Sequence, residues 1–277
     1  MQHDIDMAAY DTTQLDSAAL LEPVPVLPQP KQQGSGLGRI LYNLNTLLLF
    51  TYDQFFDTII PGTMFGLLTT LSGPELSLAA RPAVTVFLRT PAMVAWLWLI
   101  ILQFCLQNQC SEGSWKEDAI NKPWRPIPSK RITLSDAEWL LWTTRMVTGT
   151  ASWYLGVWYP FLIWSALGVL YNDLGGSDRS GMVRNMFCGG FFTCSFGGAL
   201  LIALDGGEMS EAAGQWTLLV CWCILMTTIQ TQEFRDELGD RKRGRRTLIT
   251  ELGRARALGT VYVAVTFWTW HVPFPSH

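Results

Sequence analysis

The segment Gln232-Glu233-Phe234-Arg235-Asp236-Glu237-Leu238-Gly239-Asp240-Arg241-Lys242-Arg243-Gly244-Arg245-Arg246-Thr247-Leu248 follows directly on an apolar run. Its acids Asp236 and Asp240 are four residues apart, a spacing that on a helix stacks both carboxylates on one face. Two hard oxygen donors at a membrane edge suit Mg²⁺, an ion commonly held by one or two carboxylates together with substrate phosphates. The arginines that follow can hold phosphate oxygens. The competing account is a solvated helix end whose charges pair among themselves, which is what charge runs usually are.

A second polar stretch, Asn108 to Ser129, offers oxygen donors at Asn108, Glu112, Glu117, Asp118 and Asn121. On helical backbone Asn108 shares a face with Glu112, and Asp118 with Asn121. Lys122 and Arg125 add positive charge just beyond, and Pro123, Pro126 and Pro128 stop the helix and stiffen the chain. An ordinary polar loop between two apolar runs is the competing account, and on composition the stronger one. A third stretch, Tyr171 to Arg179, carries Asn172 and Asp173, polar groups at the edge of an apolar run. A capped turn, favoured by Gly175 and Gly176, is the stronger account of it. Asp53 and Asp57 fall inside an apolar run, where charge is costly and often functional. A cavity and a helix interface are both open as their surroundings.

The elements that must position these groups are apolar. Of 277 residues, 49% are apolar and 16% charged, against about 25% charged in average soluble domains. Mean hydropathy is +0.18, lowered by a polar arm and charged loops. Seven apolar runs read as membrane-spanning helices: Ile40 to Leu71 with a break at Pro61, Pro82 to Leu106, Ala137 to Gly149, Trp153 to Leu170, Met182 to Leu204, Trp216 to Thr231 and Ala255 to Trp270. The third and fourth are close enough to form a hairpin turning at Thr148-Gly149-Thr150. Residues 1–37, rich in Pro, Gln, Asp and Ser, read as a disordered cytosolic arm and not a secretory signal; residues 38–277 read as one transmembrane domain.

Base is distributed unevenly among the connections. Lys116, Lys122, Arg125, Lys130 and Arg131 follow the second run, Arg179 and Arg184 the fourth, and Arg235 to Arg246 the sixth. The intervening loops, Ser72 to Arg81 and Asp205 to Gly214, hold one arginine between them. Alternation of this kind puts the three basic loops on the cytosolic side, and so gathers all the candidate chemical groups at one end of one bundle. Six cysteines without a Cys-x-x-Cys pair, and histidines only at His3, His271 and His277, argue against zinc, haem or a Cys–His nucleophile; the cysteines read as small, buried and reduced. The tryptophans Trp96, Trp98, Trp139, Trp142, Trp153, Trp158, Trp164 and Trp222 lie in or near the runs. Interfacial anchoring and packing account for most of them; a few are left to line a pocket, where a ring face attracts a cation by about 0.5–2 kcal/mol.

Asn-Lys-Pro-Trp-Arg-Pro-Ile-Pro-Ser at 121–129, followed by Asp-x-x-x-Asp-x-x-x-Gly-Arg-x-Thr-Leu from Asp236 to Leu248, resembles the two signature regions of the UbiA superfamily of intramembrane prenyltransferases. The resemblance runs from about Ile40 to the end. It implies an all-α polytopic bundle with two acidic motifs facing each other across a central cavity, and an isoprenyl diphosphate bound through Mg²⁺. By resemblance, Asn108, Glu112, Glu117, Asp118, Gln232, Asp236 and Asp240 are the candidate metal ligands. Lys122, Arg125, Tyr171, Asn172, Arg235 and Arg241 are the candidate substrate-binding residues, and Asp236, Asp240 and Arg125 the candidate catalytic ones. The chain also departs from the pattern. Gln109 and Gln232 stand where aspartates are usual, the register of the acids after Asn108 is ambiguous, and seven runs are counted where the family usually has nine.

These departures resemble the fungal membrane-bound terpene cyclases of the superfamily. The activity so implied is Mg²⁺-dependent ionisation and cyclisation of an isoprenyl diphosphate, farnesyl diphosphate first among them, in the endoplasmic reticulum membrane with the motif loops in the cytosol and no nucleic-acid partner. Intermolecular prenyl transfer to an aromatic or other acceptor is the alternative. A non-catalytic transporter or scaffold is a third reading, and the arginine cluster beside two carboxylates counts against it.

Overall fold

The computed structural model describes residues 36–111 and 113–272. The expected arm, apart from its last two residues, and Glu112 therefore lie outside the described residues. The described chain is helical throughout its apolar runs. α1 (Gly36–Thr51) leads through Tyr52 to Gln54 into a widened π turn, Phe55–Ile59, and then α2 (Ile60–Leu71). α3 (Ala83–Phe87) is nearly continuous with α4 (Thr90–Cys110). α5 (Ser114–Asn121) is short and polar. Next come α6 (Leu134–Tyr154), α7 (Trp158–Gly168), which continues into a second π turn at Val169–Asp173, and α8 (Gly181–Ala203). α9 (Glu211–Leu218), a third π turn at Leu219–Leu225, α10 (Met226–Thr228), a 3₁₀ turn at Ile229–Gln232 and α11 (Glu233–Arg243) make one long irregular rod. α12 (Leu248–Leu252) and α13 (Arg254–His271) complete it.

Each of the seven apolar runs is helical, but two boundaries differ from expectation. The break in the first run lies at Tyr52–Gln54, not at Pro61. Pro61 sits in the first turn of α2, directly after the π turn, and the helix continues through it. The expected turn at Thr148-Gly149-Thr150 is absent. α6 runs straight through it, with the Thr148 and Ser152 hydroxyls each donating to the carbonyl four residues back, both at 2.7 Å. The reversal comes instead at Gly156, whose φ of +74° suits a glycine. Among the described residues three helical stretches are long and apolar enough to cross a membrane, Ala83–Cys110, Gly181–Ala203 and Glu211–Arg243, with Phe55–Leu71 a shorter apolar helix.

α4 is the central rod, packed by α1, α2, α6 and α8. It buries Met93, Trp96, Leu97, Ile100 and Leu106 completely. α8 approaches closely because it is rich in glycine: a Cβ on Gly198 would lie 2.2 Å from the Trp96 ring. The Trp96 indole then donates to Ser152 Oγ at 2.8 Å, tying α4 to α6. Small residues at crossings are how helices in a bilayer gain contact, since lipid removes the hydrophobic drive between them. Trp139, Trp142 and Trp153 are 60–73% exposed on the outer surface, as expected for anchors.

The connections sort by end. At one end Arg89 pairs with Asp205, and Ser210 Oγ donates to the Leu76 carbonyl. At the other, α5, the α7–α8 connection and the stretch from α11 into α12 come together, and with them nearly all the buried charge.

Candidate active site

α5 and α11 are locked face to face. The Asn121 amide donates to the Asp236 carbonyl at 2.9 Å and accepts from the Gly239 N–H at 3.0 Å. This contact requires glycine at 239, because a Cβ there would come 2.3 Å from the Asn121 amide. Lys122 then reaches Asp236 Oδ2 at 2.6 Å. The two signature regions therefore meet, and the i, i+4 spacing on α11 does bury Asp236 and Asp240 together.

The first region's acids are held by arginines. Arg125 grips Asp118 with both oxygens of the carboxylate, at 2.9 and 3.0 Å, and stands 3.6 Å from Asp53. Burial works against the Arg125 charge, but Asp118 outweighs it and the guanidinium stays protonated. Glu117 takes Arg243 at 2.9 Å and Arg245 at 3.2 Å. Burial would raise its pKa; the two arginines prevail and hold it below the usual glutamate value. Both arginines also reach Asp178 on the middle connection, at 3.0 and 3.2 Å. One salt-bridge network thus joins all three basic loops.

Of Asp236 and Asp240 in the second region, only Asp236 Oδ2, held by Lys122, is so engaged. Asp236 Oδ1 and both Asp240 oxygens are buried without a hydrogen-bond partner. Arg245 and Arg184 stand 3.7 and 3.8 Å from Asp240, beyond good hydrogen-bond length. Carboxylate oxygens left open in this way suit a hard cation. Among the described residues no three acidic, histidine or cysteine side chains converge as a metal-binding group, so any such ion would draw its other ligands from water and substrate, as Mg²⁺ usually does.

Beneath these charges is a cavity with two chemically distinct ends. Its mouth is lined by Asn108, Glu117, Asp118, Lys122, Arg125, Arg184, Gln232, Arg235, Asp236 and Arg245. Its inner part is lined by Ile101, Phe104, Trp164, Tyr171, Phe191 and Phe192, with Thr58, Ser195 and Ile229 beside them. Phe104, Trp164, Tyr171 and Phe191 form one ring cluster, with centroids 5.0–6.1 Å apart. Four of the lining residues come from irregular helix turns. Thr58 lies on the first π turn, Tyr171 on the second, and Ile229 and Gln232 on the 3₁₀ turn, where π turns in particular are frequent at functional sites.

The expected site residues divide accordingly. Asn108, Lys122, Arg125, Tyr171, Gln232, Arg235 and Asp236 line the cavity, and Glu117 and Asp118 line it as arginine partners. Asp240 lies just behind, fully buried. Asn172 stands behind Asn108, accepting from its amide at 3.1 Å, and Asp173 accepts from Gln107 at 3.0 Å. Arg241 is turned away: it is 50% exposed and pairs with Glu237 on its own helix at 2.9 Å. Asp53 and Asp57, left open above, face Arg125 and Arg235 at 3.6 and 3.8 Å.

Arg184 lines the cavity although the sequence marks it only as topology charge, and Arg245 does so as one of a run of arginines from which the sequence singles out Arg235 and Arg241 instead. An arginine in the first turn of an apolar, glycine-rich helix was the available signal for Arg184. Of the tryptophans in or near the apolar runs named above, only Trp164 lines the cavity, and Phe104, Phe191 and Phe192 carry no mark in the sequence that sets them apart from core.

A helical bundle with buried cations and open carboxylates over an aromatic chamber defines the class. The model of the UbiA prenyltransferase family matches residues 44–276, and the chain belongs to that family. Somaliensene A/B synthase of Streptomyces somaliensis is 30% identical over 206 residues, which make up 72% of this chain and 62% of that protein. Fumagillin beta-trans-bergamotene synthase of Aspergillus fumigatus is 31% identical over 181 residues, 63% and 59% of the two chains. A polyprenyl transferase of Hericium erinaceus is 29% identical over 228 residues, 76% and 69%. The chain thus spans less than two thirds of the length of the first two relatives. Among solved structures, digeranylgeranylglyceryl phosphate synthase in membranes shares the fold, with a TM-score of 0.56 at 18% identity over 81% of this chain and 74% of that one.

Proposed function

We propose that this chain is a membrane-bound sesquiterpene cyclase that ionises an isoprenyl diphosphate, farnesyl diphosphate in the first instance, and cyclises the resulting cation. The single observation that carries the reading is the join, within one cavity, of a cationic mouth to a cluster of four aromatic rings. The names of the synthase relatives agree with it. Mg²⁺, when bound by the open oxygens of Asp236 and Asp240, would supply Lewis-acid neutralisation of the diphosphate charge. Lys122 and Arg125 give fixed positive charge where anionic charge develops on the leaving group. The allylic C–O bond breaks, its electron pair leaves with the diphosphate, and the distal double bond attacks the allylic carbon. Loss of a proton then gives a neutral hydrocarbon. Among the described residues the only histidine, His271, lies at the end of α13 and away from the cavity lining, so the proton goes to released diphosphate or to a water. The ring cluster shelters the migrating cation, and its apolar walls keep out water that would quench it.

In this reading residues 38–277 form the catalytic transmembrane domain, and the charged end faces the cytosol from the endoplasmic reticulum membrane. The gathering of the basic loops at that end supports the orientation. Intermolecular transfer of the prenyl group to an acceptor is the second reading, favoured by the polyprenyl transferase relative. The test is to incubate the purified protein in detergent with farnesyl diphosphate and Mg²⁺, without acceptor, and analyse products by mass. A hydrocarbon product is expected. Inert substrate that reacts only once an acceptor is added overturns cyclisation in favour of transfer.

A further inference from the structure

Arg184 stands at the braced start of α8, on the wall of the cavity. It is the fourth residue of α8, and the start of that helix is braced on three sides. Ser180 Oγ caps the Val183 N–H at 3.2 Å. Gly181 is pressed onto the start of α12, so that a Cβ there would lie 2.2 Å from Leu248 N. Asn185 donates to Gln230 at 3.0 Å. The Arg184 side chain is only 15% exposed and lines the cavity beside Tyr171, Asp236 and Arg245. Its Nε is 3.6 Å from Glu233 Oε1, its Nη1 is 3.8 Å from Asp240 Oδ2, and Nη1 has no hydrogen-bond partner. A guanidinium carries five N–H donors in a fixed fork. Here it lines the cavity with two counter-charges beside it, both beyond good hydrogen-bond length, and its buried Nη1 donor is unused. A buried charge in that condition is costly unless a further partner completes it.

We propose that Arg184 binds the non-bridging oxygens of the diphosphate, approaching from α8 while Lys122 and Arg125 approach from the first basic loop, and that Glu233 is a positioning residue aiming the Arg184 guanidinium. Glu233 is buried, faces Arg184 and is not among the residues lining the cavity. The inference rests on the proposed function and names a group within it. Each arginine–phosphate contact is a charge-assisted hydrogen bond, so its loss should cost about 10- to 100-fold in affinity.

The probe is inorganic pyrophosphate with Mg²⁺, titrated calorimetrically into the full chain in detergent, with farnesyl diphosphate kinetics alongside. Arg184→Gln should weaken pyrophosphate binding by about 10- to 100-fold, and Arg184→Lys should restore part of it. Glu233→Gln should raise KM more than it lowers kcat, with Glu233→Asp recovering the loss. Wild-type pyrophosphate affinity in folded Arg184→Gln overturns the inference and leaves the function standing, as would unchanged KM in Glu233→Gln for the positioning role. Should Arg184→Gln fail to fold, wild-type affinity and KM in both Arg184→Lys and Glu233→Gln overturn it. If the wild type neither binds pyrophosphate nor consumes any isoprenyl diphosphate, the functional reading falls with it.

Discussion

The two acidic regions at the cavity mouth are both short, both helical and both buried, yet their carboxylates live differently. On α5 the oxygens of Glu117 and Asp118 are occupied by Arg243, Arg245 and Arg125 at 2.9–3.2 Å. On α11 neither oxygen of Asp240, and only one of Asp236, has a hydrogen-bond partner. A paired acid sets the direction of its cation and contributes to the fold. A buried carboxylate oxygen without a hydrogen bond costs stability, and keeping it makes sense where chemistry requires it. The first region therefore orients arginines, and the second holds oxygens in reserve.

That contrast can be broken by substitution. Asp240→Asn should show the largest effect: turnover of farnesyl diphosphate falls by about 100- to 1,000-fold, the scale of removing one group that stabilises transition-state charge. Its melting temperature in detergent should fall less than that of Asp118→Ala, because Asp240 makes no hydrogen bond and its arginines stand 3.7 and 3.8 Å away. A larger fall than in Asp118→Ala would contradict the contrast. Asp118→Ala should do the reverse, destabilising by about 3–5 kcal/mol as Arg125 loses its carboxylate. Turnover per folded molecule should fall less than in Asp240→Asn.

Two smaller effects sharpen the comparison. Phe191→Leu removes one ring from the inner cluster and should slow product formation by about 2- to 30-fold, the equivalent of 0.5–2 kcal/mol of cation–π attraction, with a changed hydrocarbon profile by mass. Glu117→Gln should alter the pH dependence of stability. The arginines lower the folded-state pKa of Glu117, so its contribution is fully present above the ordinary glutamate value, 4.5, and is lost as pH falls through the lowered one. The variant should melt below wild type at neutral pH, and the gap should close as the pH is taken below 4.5.

Local signals in the sequence were reliable where the physics is local. The i, i+4 pairing of Asp236 with Asp240 and the helical nature of the apolar runs both survived folding. Local signals misled where another part of the chain decided the outcome. Pro61 looks like a break, yet the chain bends at Tyr52–Gln54, nearer Asp53, which reaches toward Arg125. Thr148-Gly149-Thr150 looks like a turn, yet its hydroxyls satisfy themselves on the helix and the bend waits for Gly156. Arg241 and Arg245 belong to one basic run, but only the second enters the site. The reason is Gly244, whose φ of +76° ends α11 and lets the Arg245 N–H return to the Asp240 carbonyl at 2.8 Å.

The order of residues along the chain settled that this is an all-helical membrane protein with its charge concentrated in three connections, because hydropathy and helical period are properties of contiguous residues. It could not settle which cation meets which acid, or that phenylalanines rather than tryptophans dominate the inner chamber. Those pairings join residues as much as 128 positions apart, as Glu117 and Arg245 are. They are decided by how closely α8 can approach α4 through its glycines and how α5 seats on Gly239, distances that exist only once the helices have packed.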